Sequence, residues 1–191
     1  MKLLEDRIRA DGIVAPGDVL KVGSFLNQQM DIPFLAEVVR EFYRCYRDAG
    51  VTKIMTIEAS GIGIACLSAL DFGVPVVFVK KAKSNNLSGD VYSAVSRSYT
   101  KGNTYEAVIP KAYLSAEDRI LILDDFLAVG NAMEAMISLV RQAGATLVGV
   151  GSLVEKVYQG GGNKLREEGI RVESLAKIAS MTDDSLTFME D

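Results

Sequence analysis

The stretch from 118 to 132, Asp-Arg-Ile-Leu-Ile-Leu-Asp-Asp-Phe-Leu-Ala-Val-Gly-Asn-Ala, leaves this chain few ways to fold. An unbroken apolar run, Ile120 to Leu123, ends in two acids, and a short turn holding Gly130 follows. Met133, Met136, Ile137 and Val140 then keep helical spacing. That change of pattern across a glycine turn is a strand–loop–helix unit. Ligands of open α/β sheets sit at such carboxyl ends of strands, and the backbone N–H groups that open the helix can receive an anion. Paired carboxylates repel phosphate but suit sugar hydroxyls or a bound cation. Hydroxyls and phosphate together suggest a phosphorylated sugar.

Similar apolar runs stand at 53–58, 75–79 and 146–154, separated by helical patterns. Residues 1–10 read as a short amphipathic helix ended by Asp11-Gly12. Residues 13–27 read as irregular or briefly extended chain packing on the core. Asp31 with Pro33 marks a helix start, and apolar spacing holds from Leu35 to Tyr46 before Gly50. A helix runs from Ile64 to Phe72, with Ala59-Ser60-Gly61-Ile62-Gly63 as the link from the strand before it. Residues 91–99 and 105–109 alternate around Lys101-Gly102-Asn103 and predict a hairpin over the carboxyl edge of the sheet. Gly144 stops the helix that follows Asn131. Gly160-Gly161-Gly162 reads as a loop, Lys164 to Glu168 as a short exposed helix, and 171–178 as an edge strand, with 185–188 as a further one. Apolar strands alternating with helices predict an α/β fold, a doubly wound parallel sheet with helices on both faces. At 191 residues it is expected to form one domain.

Composition narrows the chemistry. The chain has no histidine, so a Ser–His–Asp triad, a histidine base and a His-ligated metal are excluded. A net charge of −4 argues against broad nucleic-acid binding. No apolar run approaches the roughly 20 residues that span a bilayer, and no signal-peptide pattern opens the chain. Cys45 and Cys66 are too few and too scattered for a disulfide framework or zinc site, which suggests a reduced, cytoplasmic setting. Both cysteines read as small buried apolar residues.

The string Ile120-Leu121-Ile122-Leu123-Asp124-Asp125-Phe126-Leu127-Ala128-Val129-Gly130-Asn131-Ala132 resembles the phosphoribosyl-pyrophosphate motif of the type I phosphoribosyltransferases. Leu20-Lys21-Val22-Gly23-Ser24-Phe25-Leu26-Asn27, Thr56-Ile57-Glu58-Ala59-Ser60-Gly61-Ile62 and Val172-Glu173-Ser174-Leu175-Ala176 extend the likeness over the whole chain, toward the bacterial xanthine-using branch of that family. Two positions depart from the general motif. Val129 and Ala132 stand where most relatives place Thr or Ser, a hydroxyl-poor loop that the xanthine branch shares.

The resemblance implies a type I phosphoribosyltransferase fold, with a small hood from residues 1–30 and a flexible β-hairpin lid at about 84–110. It implies phosphoribosyl pyrophosphate (PRPP) as donor, carried as its magnesium complex and with no direct protein ligand to the metal. The donor's ribose hydroxyls would lie at Asp124 and Asp125, and its 5-phosphate in the loop Ala128, Val129, Gly130, Asn131, Ala132. Without hydroxyls there, that loop holds phosphate by backbone N–H groups and helix dipole, with Asn131 as a partial substitute. Glu58, Ala59, Ser60 and Gly61 would form the pyrophosphate loop, with a non-proline cis peptide at Ala59–Ser60. Leu20, Asn27 and Lys156 would line the xanthine site, and Lys80, Lys81 and Lys83 are candidates to neutralise pyrophosphate. A homodimer is implied as well. No side-chain acid or base is assigned. A guanine- or hypoxanthine-preferring transferase and a purine-sensing regulator of the same fold are the rival readings. The regulator is disfavoured by the acidic charge and by the roughly ten residues that precede the Asp11-Gly12 break.

Overall fold

The structure is a computed structural model and describes residues 1–82, 90–97 and 104–190. Helix α1 (Lys2–Asp11) buries Leu4 and Ile8. A tight hairpin follows, β1 (Ile13–Ala15) against β2 (Val19–Lys21), in a sheet of its own. One wide helical turn, Gly23–Asn27, then buries Phe25 and Leu26. The segment expected as irregular or briefly extended chain packing on the core is thus a defined hairpin and turn seated there. Helix α2 (Ile32–Tyr46) starts as its cap residue predicts: the Asp31 carboxylate accepts the Phe34 N–H at 3.3 Å, and proline sits in the first turn.

The main sheet is built from β3 (Lys53–Ile57), β4 (Val76–Ala82), β5 (Val91–Arg97), β6 (Thr104–Pro110), β7 (Arg119–Leu127), β8 (Thr146–Lys156), β9 (Val172–Met181) and β10 (Leu186–Phe188). Helix α3 (Gly61–Phe72) links β3 to β4, α4 (Asn131–Gln142) links β7 to β8, and α5 (Gly161–Glu167) links β8 to β9. Strand order is β10-β9-β8-β7-β3-β4-β6-β5. The five central strands are parallel, while β10 and the β5–β6 hairpin pair antiparallel at the two edges. The apolar run of β7 is divided between two cores. Leu121 and Leu123 pack with Leu35, Phe42 and Ile64 on one face. Ile120 and Ile122 pack with Met133, Met136 and Val140 on the other. Period two in the strand and two covered faces explain why no polar residue interrupts it.

Several expectations need correction. The hairpin does not lie over the sheet as a separate cover. It joins the sheet edge, with Lys80, Lys81 and Ala82 of β4 paired to Val108, Ala107 and Glu106. Strand β4 therefore runs on through the lysines that were expected to follow it. Of the predicted lid, residues 84–89 and 98–103 lie outside the described residues. Strand β9 is internal, since β10 takes the edge. Cys66 is exposed, on the outer side of α3, and Cys45 is half-buried.

Helix α5 begins at Gly161, inside the stretch predicted as a loop. It is not simply exposed. Leu165 is buried, and Arg166 reaches back to the end of β8. Its guanidinium forks onto the fully buried Glu155, Nη1 to Oε1 at 2.8 Å and Nη2 to Oε2 at 2.7 Å. Burial alone would raise the Glu155 pKa, but the bonds from Arg166 and Ser174 hold it below the ordinary glutamate value of 4.5. A carboxyl lowered on folding stabilises fully above 4.5, and that contribution drains away as pH falls through the folded-state value. Replacing Arg166 with Met strands a buried carboxylate and should cost about 3 kcal/mol at neutral pH. Urea denaturation of both proteins at several pH values measures this, and the gap should narrow as the pH is taken toward and below 4.5. A loss under about 1 kcal/mol, the scale of an exposed ion pair, would show that the fork is dispensable.

Candidate active site

Strands β3 and β7 are neighbours, yet the chain leaves β3 toward one edge and β7 toward the other. Their carboxyl ends therefore part at a topological switch point, where open α/β sheets leave a crevice. A cleft of about 400 Å³ occupies this place. Its walls come from the β7–α4 connection, the start of α3, the N-terminal hairpin and turn, and the end of β8.

The acid pair closing β7 is split. Asp125 lines the cleft, and its Oδ2 accepts the Asn27 side-chain N–H at 3.3 Å. Asp124 does not line it and is 5% exposed. Its Oδ1 accepts the Asp125 backbone N–H at 3.0 Å and sits beneath the opening of α3. A Cβ on Gly61 would lie 2.7 Å from that oxygen and 2.0 Å from Thr56 Oγ1, so only glycine fits. Burial, and then the charge of Asp125, push the Asp124 carboxyl well above the ordinary carboxylate range. Successive strand residues point apart, so Asp125 faces the cleft and Asp124 lies behind it.

Residues Ala128 to Ala132 all line the cleft. Gly130 has φ 91° and opens α4, whose first turn is closed by the Glu134 N–H to the Gly130 carbonyl at 2.9 Å. Val129 and Ala132 offer no hydroxyl, so an anion here would meet backbone N–H groups and the positive end of α4. Helix α5 braces the loop from behind. The Gly161 N–H donates to the Ala128 carbonyl at 3.1 Å. A Cβ on Gly161 would lie 2.3 Å from that oxygen and 2.6 Å from the Gly130 nitrogen. The glycine run that looked like a loop is thus a close approach of two backbones.

Of the four residues expected in a pyrophosphate loop, only Ser60 lines the cleft. The cis peptide is at Glu58–Ala59, one bond before the expected Ala59–Ser60. Ser60 already has helical backbone angles (φ −63°, ψ −35°) and leads straight into α3 at Gly61, so the irregular link falls earlier. Glu58 turns away to accept the Lys81 backbone N–H at 2.6 Å, which ties this connection to β4. Among the lysines, Lys81 reaches the cleft and lies over the Tyr105 ring at 5.4 Å. Lys80 instead lines an adjoining cavity beside β4, and Lys83 lies outside the described residues.

Leu20, Asn27 and Lys156, the three residues the resemblance assigns to the base, all line the cleft. Lys156 is 5% exposed. Its ammonium donates to the Asp18 carbonyl and lies 3.6 Å from Asp18 Oδ1. Burial lowers the Lys156 pKa, and Asp18 partly restores it. Asp18, Tyr105, Phe126 and Met133 also line the cleft and were missed in the sequence. For Asp18 the one available signal was its turn, Pro16-Gly17-Asp18; the others sit in ordinary strand and helix patterns.

A model of the phosphoribosyl transferase domain matches residues 29–172. Over the full length of both chains, the sequence is 51% identical to proteins named xanthine phosphoribosyltransferase from Lachnoclostridium phytofermentans and from Ruminiclostridium cellulolyticum. Among solved structures, an adenine phosphoribosyltransferase from Giardia lamblia superposes with a TM-score of 0.75 at 23% identity, covering 91% of this chain and 97% of that one. At that identity the superposition shows the fold alone.

If the Gly161 contact shapes the anion loop, Gly161→Ala should weaken binding of ribose 5-phosphate about tenfold, roughly 1.4 kcal/mol, with far-UV circular dichroism unchanged. Calorimetric titration giving wild-type affinity would refute that coupling.

Proposed function

We infer that this chain, which belongs to the phosphoribosyltransferase family, transfers the 5-phosphoribosyl group of PRPP to xanthine. The products are xanthosine 5'-monophosphate and pyrophosphate, a purine-salvage reaction. Full-length identity of 51% with proteins named for this activity supports the substrate. The observation that carries the site reading is the buried Lys156 in the wall of the same cleft as the 128–132 loop.

The donor binds as its magnesium complex. Among the described residues no group of three or more acidic or cysteine side chains is placed to hold a metal ion. Asp125 presents a carboxylate suited to ribose hydroxyls, while the ion travels on the donor's own oxygens. Asp124 serves from behind by accepting the Asp125 N–H. The 5-phosphate lies on the backbone N–H groups of Ala128 to Ala132, and pyrophosphate lies toward Ser60 and Lys81. The C1–O bond to pyrophosphate breaks as the C1–N bond to the purine forms, through a state with oxocarbenium character. Holding charges in place matters more here than moving protons, which suits a chain without histidine.

Leu20, Asn27 and Lys156 take the base. An ammonium favours the oxo groups of xanthine over the amino group of adenine. The N-terminal segment acts as a hood and the β5–β6 hairpin as the root of a lid that keeps water from the cation. The chain works in the cytoplasm; among the described residues no helix is long and apolar enough to cross a membrane. It pairs as a homodimer, as the family resemblance implies, and large apolar side chains such as Leu70 on α3 and Phe78 on β4 are exposed.

Nucleotide formation from PRPP, magnesium and each of xanthine, guanine, hypoxanthine and adenine tests the activity. Xanthine should be preferred; no turnover of any base would end the enzymatic reading. Removing a buried charged donor costs about 1.5–3 kcal/mol, so Lys156→Ala should lower kcat/KM for xanthine roughly 10- to 100-fold. The KM for PRPP should stay within about twofold of wild type, a difference under 0.5 kcal/mol. Equal losses for both substrates would remove Lys156 from the base site.

A further inference from the structure

The proposed function leaves one buried-charge arrangement unused. Asp18 sits in the turn between β1 and β2 with φ 63°, the one non-glycine residue with positive φ among the described residues. That conformation costs an L-residue roughly 1–2 kcal/mol, and Asp tolerates it better than most. Such a residue persists where its surroundings hold it, and those surroundings are the connection that follows β8. The Asp18 carbonyl accepts from Lys156 Nζ. Its Oδ1 accepts the Tyr158 hydroxyl and its Oδ2 the Gln159 amide N–H. Lys156 Nζ also lies 3.6 Å from Oδ1. One residue therefore joins three consecutive-region partners that lie 138 to 141 positions away in the chain.

We propose that Asp18 is the positioning residue of the base site: it sets the Lys156 ammonium and clamps the N-terminal hairpin beside it. The proposal rests on the reading that Lys156 meets the purine. Three observations make the link physical. A lysine that is only 5% exposed requires an anionic or carbonyl partner for its ammonium, and Asp18 supplies both. A lysine head on four methylenes has three rotatable donors and no fixed direction of its own, so its partner decides where it points. The hairpin register, Val14 with Leu20 and Ala15 with Val19, ties Asp18 rigidly to Leu20, which lines the same cleft. Moving Asp18 would thus displace the apolar wall and the ammonium together. Selection of an oxopurine then depends on a residue that need not touch the base at all.

Asp18→Gly is the informative variant, because glycine accepts φ 63° and keeps the carbonyl while deleting the carboxylate. Asp18→Asn keeps the shape and an acceptor oxygen but not the charge. Steady-state kinetics against xanthine and PRPP should show Asp18→Gly raising the xanthine KM about tenfold, with the PRPP KM within about twofold and kcat within about threefold. Asp18→Asn should recover part of that loss. Combining Asp18→Gly with Lys156→Ala should give little further loss beyond Lys156→Ala alone, since both act through one group. An unchanged xanthine KM in Asp18→Gly, beside a raised one in Lys156→Ala, would overturn the proposal and leave the base-site reading intact. An unchanged xanthine KM in Lys156→Ala would overturn that reading itself. Equal rises of both KM values with a fallen Tm, or fully additive losses in the double variant, would mean that Asp18 acts only structurally.

Discussion

The acid pair and the turn that follows it hang from the end of a strand held on every side. Strand β7 is clasped by apolar side chains on both faces, Leu121 and Leu123 to one side and Ile120 and Ile122 to the other. Neighbouring parallel strands hold its two edges. Burying such side chains contributes about 1.5–3 kcal/mol each, so a shift in register would expose several at once. The connection beyond Leu127 inherits that rigidity. Close backbone approach completes it, with Gly161 against Ala128 behind the loop. The proposed anion loop, lacking hydroxyls, would depend on this bracing, because backbone N–H groups bind only as well as they are aimed.

The buried charges around the cleft follow one rule, that each is matched or neutralised. Glu155 is forked by Arg166, and Lys156 is held at Asp18. Asp124 has its carboxyl pushed upward by burial and by Asp125. None of these groups is needed to build the sheet. Unmatched buried charge is costly; of the three, Lys156 lines the cleft, while Asp124 and Glu155 are chain neighbours of residues that do. Lys156 and Glu155 are adjacent at the end of β8 and point to different partners. One strand end thereby serves both the proposed base site and the anchoring of α5.

Much of this was legible in the sequence. The parallel strands, the capped start of α2 at Asp31, the strand–turn–helix at 118–132 and the hairpin at 91–109 all follow from local pattern. Those patterns are enforced by burial within a few residues. Misreadings arose where a distant segment decided the outcome. Gly160 to Gly162 read as a loop because a glycine needed for close contact and one needed for a turn look the same in a sequence. Lys80 and Lys81 were expected beyond the end of a strand at 75–79, yet β6 pairs with them and extends the strand. Asp124 and Asp125 look alike in the sequence, while the pleat turns Asp125 alone into the cleft.

The sequence by itself determined the class of fold, the place of the cleft at the end of β7, and which residue types stand in the anion loop. Their signals are local periodicity and chain order, which survive without coordinates. The tertiary structure decided which residues meet there. Asp18 and Asn27 come from the N-terminal segment, Ser60 from the start of α3, Lys81 from β4, Asp125 from β7 and Lys156 from β8. No periodicity relates those positions, because contacts between residues more than a hundred positions apart are set by strand order and packing. The Asp18–Lys156 contact belongs wholly to that second kind of information.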